Sequence, residues 1–177
     1  MAGGLLCLLV GLAVSAVAPT NFAGEWLLDK SKSEMPQMGP GGPGGGGGDV
    51  TLIVTQDDKQ LTSETKRSGG DGGGPGGGRG MGGGGKLTYS LDGKKATTEV
   101  TGPNGNTSTV DTEAKWDKAQ KGLELKSVRH VNFQGNAMDF TTKETWELAE
   151  DGKTLTIKRS SESPRGTQES KLVFVKK

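Results

Sequence analysis

Polar and apolar residues alternate along almost the whole chain from residue 22 to the C terminus, in short runs separated by Gly, Asn, Asp and Pro. A period of two is typical of strands that bury one face, whereas a surface helix repeats its apolar residues every 3.6 positions. The sequence therefore predicts an all-β protein, an antiparallel up-and-down meander of about ten strands that closes into a small barrel. The predicted strands are 24–29, 50–55, 61–66, 87–91, 94–101, 108–116, 123–133, 138–148, 154–161 and 168–175.

The connections between these strands alternate in chemistry. Those after the even-numbered strands are short and rich in Asp, Lys and Gly, and Asp92-Gly93 predicts a two-residue hairpin between the fourth and fifth strands. Those after the odd-numbered strands are longer, and two of them are the glycine tracts 39–48 and 69–85. Because successive connections of a meander lie at opposite ends, we predict one tight-turn end and one loop-bearing end with flexible loops. One domain, 19–177, holds all of these strands.

The alternation also predicts an interior face and a register. Across the turn between strands eight and nine, Trp146 falls opposite Ile157 and Leu148 falls opposite Leu155. A slip by one residue would turn all of these side chains outward, so the hydrophobic pattern specifies which face is buried. Other residues on the predicted inward face are Ala114, Trp116, Leu123, Leu125, Met138, Phe140, Leu172 and Phe174.

Three charged residues fall on this inward face near the loop-bearing end. Glu144 is predicted to face Arg159 across strands eight and nine, and Arg129 to lie opposite Thr142 on the neighbouring strand. Inward charges are costly unless paired, and an excess of Arg over Glu inside a barrel can receive a ligand carboxylate or phosphate. The alternative is an internal, hydrated ion pair without a ligand. The predicted ligand-binding residues are Arg129, Thr142, Glu144, Arg159 and Tyr89.

The sequence indicates no catalytic or metal-dependent chemistry. Its one histidine, His130, falls on the outward face, where we expect a solvated strand residue. Its one cysteine, Cys7, lies in the N-terminal segment, and a single histidine without a thiol does not form the usual zinc site or Ser-His triad. We predict no catalytic residue, no metal and no cofactor.

The first 18 residues resemble a secretory signal peptide. They contain no charged side chain, are largely apolar from Leu5 to Val17, and end in an A-x-A pattern at 16–18. The apolar run is too short for a comfortable membrane span. We expect an exported protein, periplasmic or extracellular, whose mature N terminus lies between Val17 and Phe22 and which has no membrane span. The net charge of +1 argues against a nucleic-acid partner.

The start of the first strand carries a family resemblance. Phe22-Ala23-Gly24-Glu25-Trp26 resembles the G-x-W opening of the lipocalin family, in which the first strand enters a barrel over a tryptophan. Residues 24–33 also resemble the GxWxLDxxKS-like opening of uncharacterised secreted bacterial proteins. The resemblance implies a lipocalin-like, calycin-type barrel with room for a small apolar ligand.

Three functions remain open at this point. The first is a non-enzymatic exported barrel that binds a small amphipathic anion. The second is a structural or surface-interaction module of the cell envelope, with no small-molecule ligand. The third is an enzyme, which is the least supported because no nucleophile and base, and no paired carboxylates, can be assigned from spacing. An open interior that reaches Arg129 and Arg159 would favour the first, and a filled core with an exposed apolar patch the second.

Overall fold

The computed structural model describes residues 18–35, 48–68, 86–101, 107–133, 135–164 and 166–177. These residues form ten strands and no helix, so none of them forms a helix that could cross a membrane. The strands are β1 (Gly24–Leu28), β2 (Val50–Gln56), β3 (Gln60–Arg67), β4 (Lys86–Ser90), β5 (Ala96–Thr101), β6 (Thr107–Trp116), β7 (Gly122–Phe133), β8 (Asn136–Leu148), β9 (Thr154–Ser163) and β10 (Gly166–Lys176). The glycine tracts, apart from Gly48, and residues 1–17 lie outside the described ranges.

The ten strands form one antiparallel sheet in the order β4-β3-β2-β1-β10-β9-β8-β7-β6-β5. The first and last strands pair with each other, with Leu28 opposite Phe174, so the sheet curls into a nearly closed barrel. This confirms the predicted all-β meander of ten strands. The barrel has one seam, which lies between β4 and β5 at the two ends of the strand order.

The predicted hairpin between β4 and β5 is wrong, although the turn itself forms. Asp92 Oδ1 accepts hydrogen bonds from Ser90 Oγ at 2.6 Å and from Lys94 N at 3.0 Å, which is an Asx-type turn. No ladder follows this turn, because β5 begins only opposite Thr112 and β4 lies beside β6 instead. The Thr112 hydroxyl on β6 bridges the seam to β4 by donating to the Thr88 carbonyl at 2.7 Å.

The core occupies the tight-turn end, as the sequence predicted. Trp146 pairs with Ile157 and Leu148 with Leu155, in the predicted register. Phe22 is fully buried there, stacked on Trp116 with ring centroids 6.1 Å apart. The other buried core side chains are Trp26, Leu28, Leu52, Val54, Leu61, Tyr89, Ala114, Leu123, Leu125, Leu172 and Phe174.

Residues 18–23, the N-terminal arm, cover the tight-turn end of the barrel. Gln56 holds the arm twice, since its Oε1 accepts from Phe22 N and its Nε2 donates to the Thr20 carbonyl, both at 2.9 Å. Trp26 is fully buried and donates its indole N–H to the Phe22 carbonyl at 3.0 Å. Gly24 has φ 150°, a backbone conformation that L side chains rarely adopt, which gives the glycine of the G-x-W opening a conformational reason.

Candidate functional site

The inward-facing side chains change from apolar to polar halfway up the barrel. Directly above the Trp146–Ile157 pair, on the side of the loop-bearing end, Glu144 pairs with Arg159. The next rung, the next row of inward-facing residues paired across neighbouring strands, contains four hydroxyls, because Thr142 pairs with both Ser161 and Ser127, and Ser127 pairs with Thr112. We call the inward residues of these two rungs, together with Tyr89, the polar layer. Inward residues on adjacent rungs are about 7 Å apart along a strand.

Glu144 and Arg159 form the ion pair that the sequence predicted. Arg159 Nε donates to Glu144 Oε1 at 2.6 Å, and Trp146 Nε1 donates to Glu144 Oε2 at 2.8 Å. The Glu144 side chain is 11% exposed and that of Arg159 is 33% exposed. The carboxylate is therefore fixed by two donors against the packed core, while part of the guanidinium still faces open space.

Tyr89 reaches this layer from across the seam. It is 3% exposed and lies on β4, which lies beside β6, so that only β6 and β7 separate β4 from β8 in this direction. Burial raises the pKa of the Tyr89 hydroxyl, the negative charge of Glu144 raises that pKa further, and a hydrogen bond with the Ser127 side chain lowers it in part. The net shift keeps Tyr89 neutral and able to donate a hydrogen bond.

Arg129 lies one rung higher than predicted. It pairs with Phe140 and Val110, whereas the sequence placed it opposite Thr142. The reason is the β7–β8 connection, which we expected to be four residues long. Phe133 pairs with Asn136, so the connection has only two residues and the register moves by two. The side of the sheet is unchanged by an even shift, so Arg129 still faces inward.

The structure thus brings Tyr89, Glu144 and Arg159 together and leaves Arg129 above them. The hydroxyl rung, with Thr142, lies between the two arginines. Within the described ranges no hydrogen bond or ion pair to the Arg129 side chain is formed. Sequence reasoning missed Ser127, although its parity on β7 matches that of Leu125 and Arg129 and would have identified it as inward.

His130 faces outward, as predicted, but is bonded rather than merely solvated. Its Nδ1 lies 2.8 Å from Asp139 Oδ1 and its Nε2 lies 3.3 Å from Asp111 Oδ2. The hydrogen bond with Asp139, followed by that with Asp111, raises the pKa of the imidazole. Asp111 is also held by Lys95 at 2.7 Å and by the Thr97 hydroxyl at 2.6 Å, and these contacts lower its pKa.

The two ring nitrogens of His130 point to different carboxylates, so this outer cluster is a chain of hydrogen bonds and not a chelate. Among the described residues, no group of three or more His, Cys, Asp or Glu side chains could hold a metal ion. A groove of about 290 Å³ lies on the outer face of β6, β7 and β8 and is lined mainly by exposed side chains of both signs. Its charged outer-face residues are Glu113, Lys115, Glu124, Lys126 and Lys143.

Comparison with known proteins gives matches among solved structures but none among family models or curated proteins. Among solved structures, the chain is similar to the REP1-NXSQ fatty acid transporter, with 10% identity, 88% of this chain and 95% of that chain covered, and a TM-score of 0.49. It is also similar to fatty-acid-binding protein 1 of Echinococcus granulosus, with 13% identity, 88% and 96% coverage, and a TM-score of 0.48.

Proposed function

We propose that this protein is an exported, non-enzymatic barrel that binds a small amphipathic anion at its polar layer. The observation that carries the proposal is the charge of the inner wall. Arg129 and Arg159 face inward, and Glu144 is the carboxylate that shares their wall. Two cations against one anion leave a net positive charge, which a ligand anion would neutralise.

Arg159 is arranged to receive such an anion. Glu144 engages the Nε atom of Arg159, which leaves the two terminal nitrogens of the guanidinium for another acceptor. These terminal nitrogens form a fork that matches a carboxylate in bidentate fashion. The Arg159 side chain is 33% exposed, so part of the guanidinium is accessible to solvent.

The hydroxyl rung supports the same site. Ser127 and Thr142 lie between the rungs of Arg159 and Arg129, so a headgroup at this height has hydroxyl donors beside it and a cation on either side. Tyr89 adds a neutral hydroxyl from β4, where it bonds to the Ser127 side chain. The headgroup therefore has both charged and neutral hydrogen-bond partners.

The apolar part of the ligand would point towards the loop-bearing end. Above the hydroxyl rung the inward positions become apolar again, with Phe140 and Val110 beside Arg129 and Met138 paired with Val131 one rung higher. The packed core below leaves the tight-turn end filled by Trp146 and Phe22. An amphiphile fits this order with its charged end inward and its chain outward.

Isothermal titration of the purified protein with decanoate tests the proposal. Arg129→Gln should weaken binding by about tenfold or more, because a charge-assisted hydrogen bond contributes roughly 1.5–3 kcal/mol. Lys126→Gln, on the outer face of the same strand, is the matched control and should bind like the wild type. If the wild type binds no amphipathic anion, or if both variants bind equally well, the proposal is wrong and the surface-interaction module becomes the better reading.

Export is the second part of the proposal, and the apolar segment before residue 18 supports it. A cut after Ala18 would preserve the arm, because Thr20 and Phe22 both bond to Gln56. N-terminal sequencing of protein recovered from outside the cytoplasm should give a start between Val17 and Phe22. Soluble, functional protein that keeps Met1 would contradict export.

A further inference from the structure

Glu144 cannot move out of the polar layer without breaking two bonds. Its Oε1 holds Arg159 at 2.6 Å and its Oε2 holds the indole nitrogen of Trp146 at 2.8 Å. Trp146 is 1% exposed and belongs to the packed core, so this second bond fixes the carboxylate from below. A negative charge therefore remains at the base of the space that the ligand would occupy.

The fixed carboxylate determines how much ligand charge the inward groups that flank the hydroxyl rung can neutralise. Below this rung Arg159 and Glu144 contribute one charge of each sign, and above it Arg129 contributes one positive charge, which leaves a net charge of +1 for these three groups. Tyr89 adds none, because burial keeps its hydroxyl protonated. A ligand with one negative charge balances these three groups, whereas a second negative charge would be desolvated without a partner.

We infer that Glu144 is a specificity-determining residue, which restricts the ligand to amphiphiles with a single negative charge and excludes those with two. The inference rests on the proposed function and adds the ligand class. Carboxylates satisfy the rule, and phosphate monoesters at pH 8 do not, because both of their acidic groups are then ionised.

Two ligands of similar shape but different charge test whether the site selects its ligand by charge or by shape. Decyl sulfate and decyl phosphate have the same chain and a tetrahedral headgroup, but at pH 8 the first carries one negative charge and the second about two. The wild type should bind decyl sulfate about tenfold more tightly than decyl phosphate, because an unpaired charge near Glu144 is repelled in a partly buried site.

Glu144→Gln removes the charge and keeps an amide oxygen that can accept a hydrogen bond. This variant should gain affinity for both ligands, and for decyl phosphate by about tenfold more than for decyl sulfate, because the dianion feels twice the repulsion. The matched control is Glu162→Gln on the outer face, where Glu162 pairs with Lys143 at 2.9 Å. It should leave both affinities unchanged.

A second variant protects the test against poor folding of the first. Glu144→Gln combined with Arg159→Gln restores an inner charge of +1 but removes the nitrogens that receive the anion, so it should bind both ligands more weakly than the wild type and still prefer decyl sulfate. The inference is overturned if the wild type does not discriminate between the two ligands, or if Glu144→Gln changes both affinities equally. If neither ligand nor decanoate binds any variant, the proposed function itself fails, and the inference fails with it.

Discussion

Replacing Glu144 by Ala removes the acceptor of two donors at once, one of them fully buried. Arg159 loses its partner at 2.6 Å and the Trp146 indole loses its acceptor at 2.8 Å. Stranding one member of a fully buried ion pair typically costs about 3–5 kcal/mol. Arg159 is 33% exposed and can recover part of its hydration, so we take the lower end of that range. The unsatisfied indole N–H alone accounts for about 1–3 kcal/mol.

We therefore expect Glu144→Ala to lower the free energy of unfolding by about 3 kcal/mol, which corresponds to a fall in Tm of roughly 6–12 °C for a domain of this size. Urea denaturation followed by tryptophan fluorescence measures this loss. A double-mutant cycle with Arg159→Ala separates the pair from the indole bond, because the cost of Glu144→Ala in the Arg159→Ala background contains the bond to Trp146 but no longer the ion pair.

Glu162→Ala provides the comparison, since Glu162 pairs with Lys143 on the outer face with both side chains about half exposed. Exposed pairs contribute little because water screens them, so this variant should unfold close to the wild type. The reasoning is refuted if Glu144→Ala and Glu162→Ala unfold at the same urea concentration, which would mean that the polar layer is as wet as the outer surface.

Four further outcomes are expected. Thr112→Val removes the hydroxyl that bridges the seam and should cost about 1–2 kcal/mol in urea denaturation; an unchanged midpoint would mean that the seam needs no bridge. Phe22→Ala should cost about 3–5 kcal/mol through lost packing against Trp116, and a smaller loss would show that the arm is dispensable. The His130 imidazole, followed by NMR, should titrate above the ordinary histidine value; because its folded pKa is raised, its contribution to stability is full below the unfolded pKa and is lost as pH rises through the folded one. Replacing 69–85 with a short Gly-Ser turn should leave Tm nearly unchanged, since the tract offers almost no apolar side chain to bury, and a collapse of the fold would contradict this.

The sequence predicted the strands and the inner face well because both depend on a local signal. The alternation around Trp146 and Ile157 admits one parity, and the short turn at 149–153 sets the register between β8 and β9. Glu144 and Arg159 follow from that register without further information. Where a short turn joins two strongly alternating strands, each cross-strand pair of residues could be predicted from the sequence.

The seam between β4 and β5 could not be predicted from local alternation and turn residues, because its position depends on the circumference of the barrel. Asp92 and Gly93 form the turn that their residue types favour, with φ 79° at Gly93. Whether the strands on either side then pair is decided by how far the other strands curl before the two edges meet. No residue near the turn carries that information, and Thr112, which bridges the edges, is distant from it in sequence.

The misplaced height of Arg129 has a different cause. Hydrophobic alternation detects a register error of one residue, because every side chain would change face, but it cannot detect an error of two. The pairing of Phe133 with Asn136 produced such an error and moved Arg129 from the hydroxyl rung to the rung above it. Parity thus identifies which charges face inward, whereas turn length decides which of them meet. Here it separates Arg129 from the Glu144–Arg159 pair, and that separation leaves an uncompensated cation above the hydroxyls on which the proposed anion site depends.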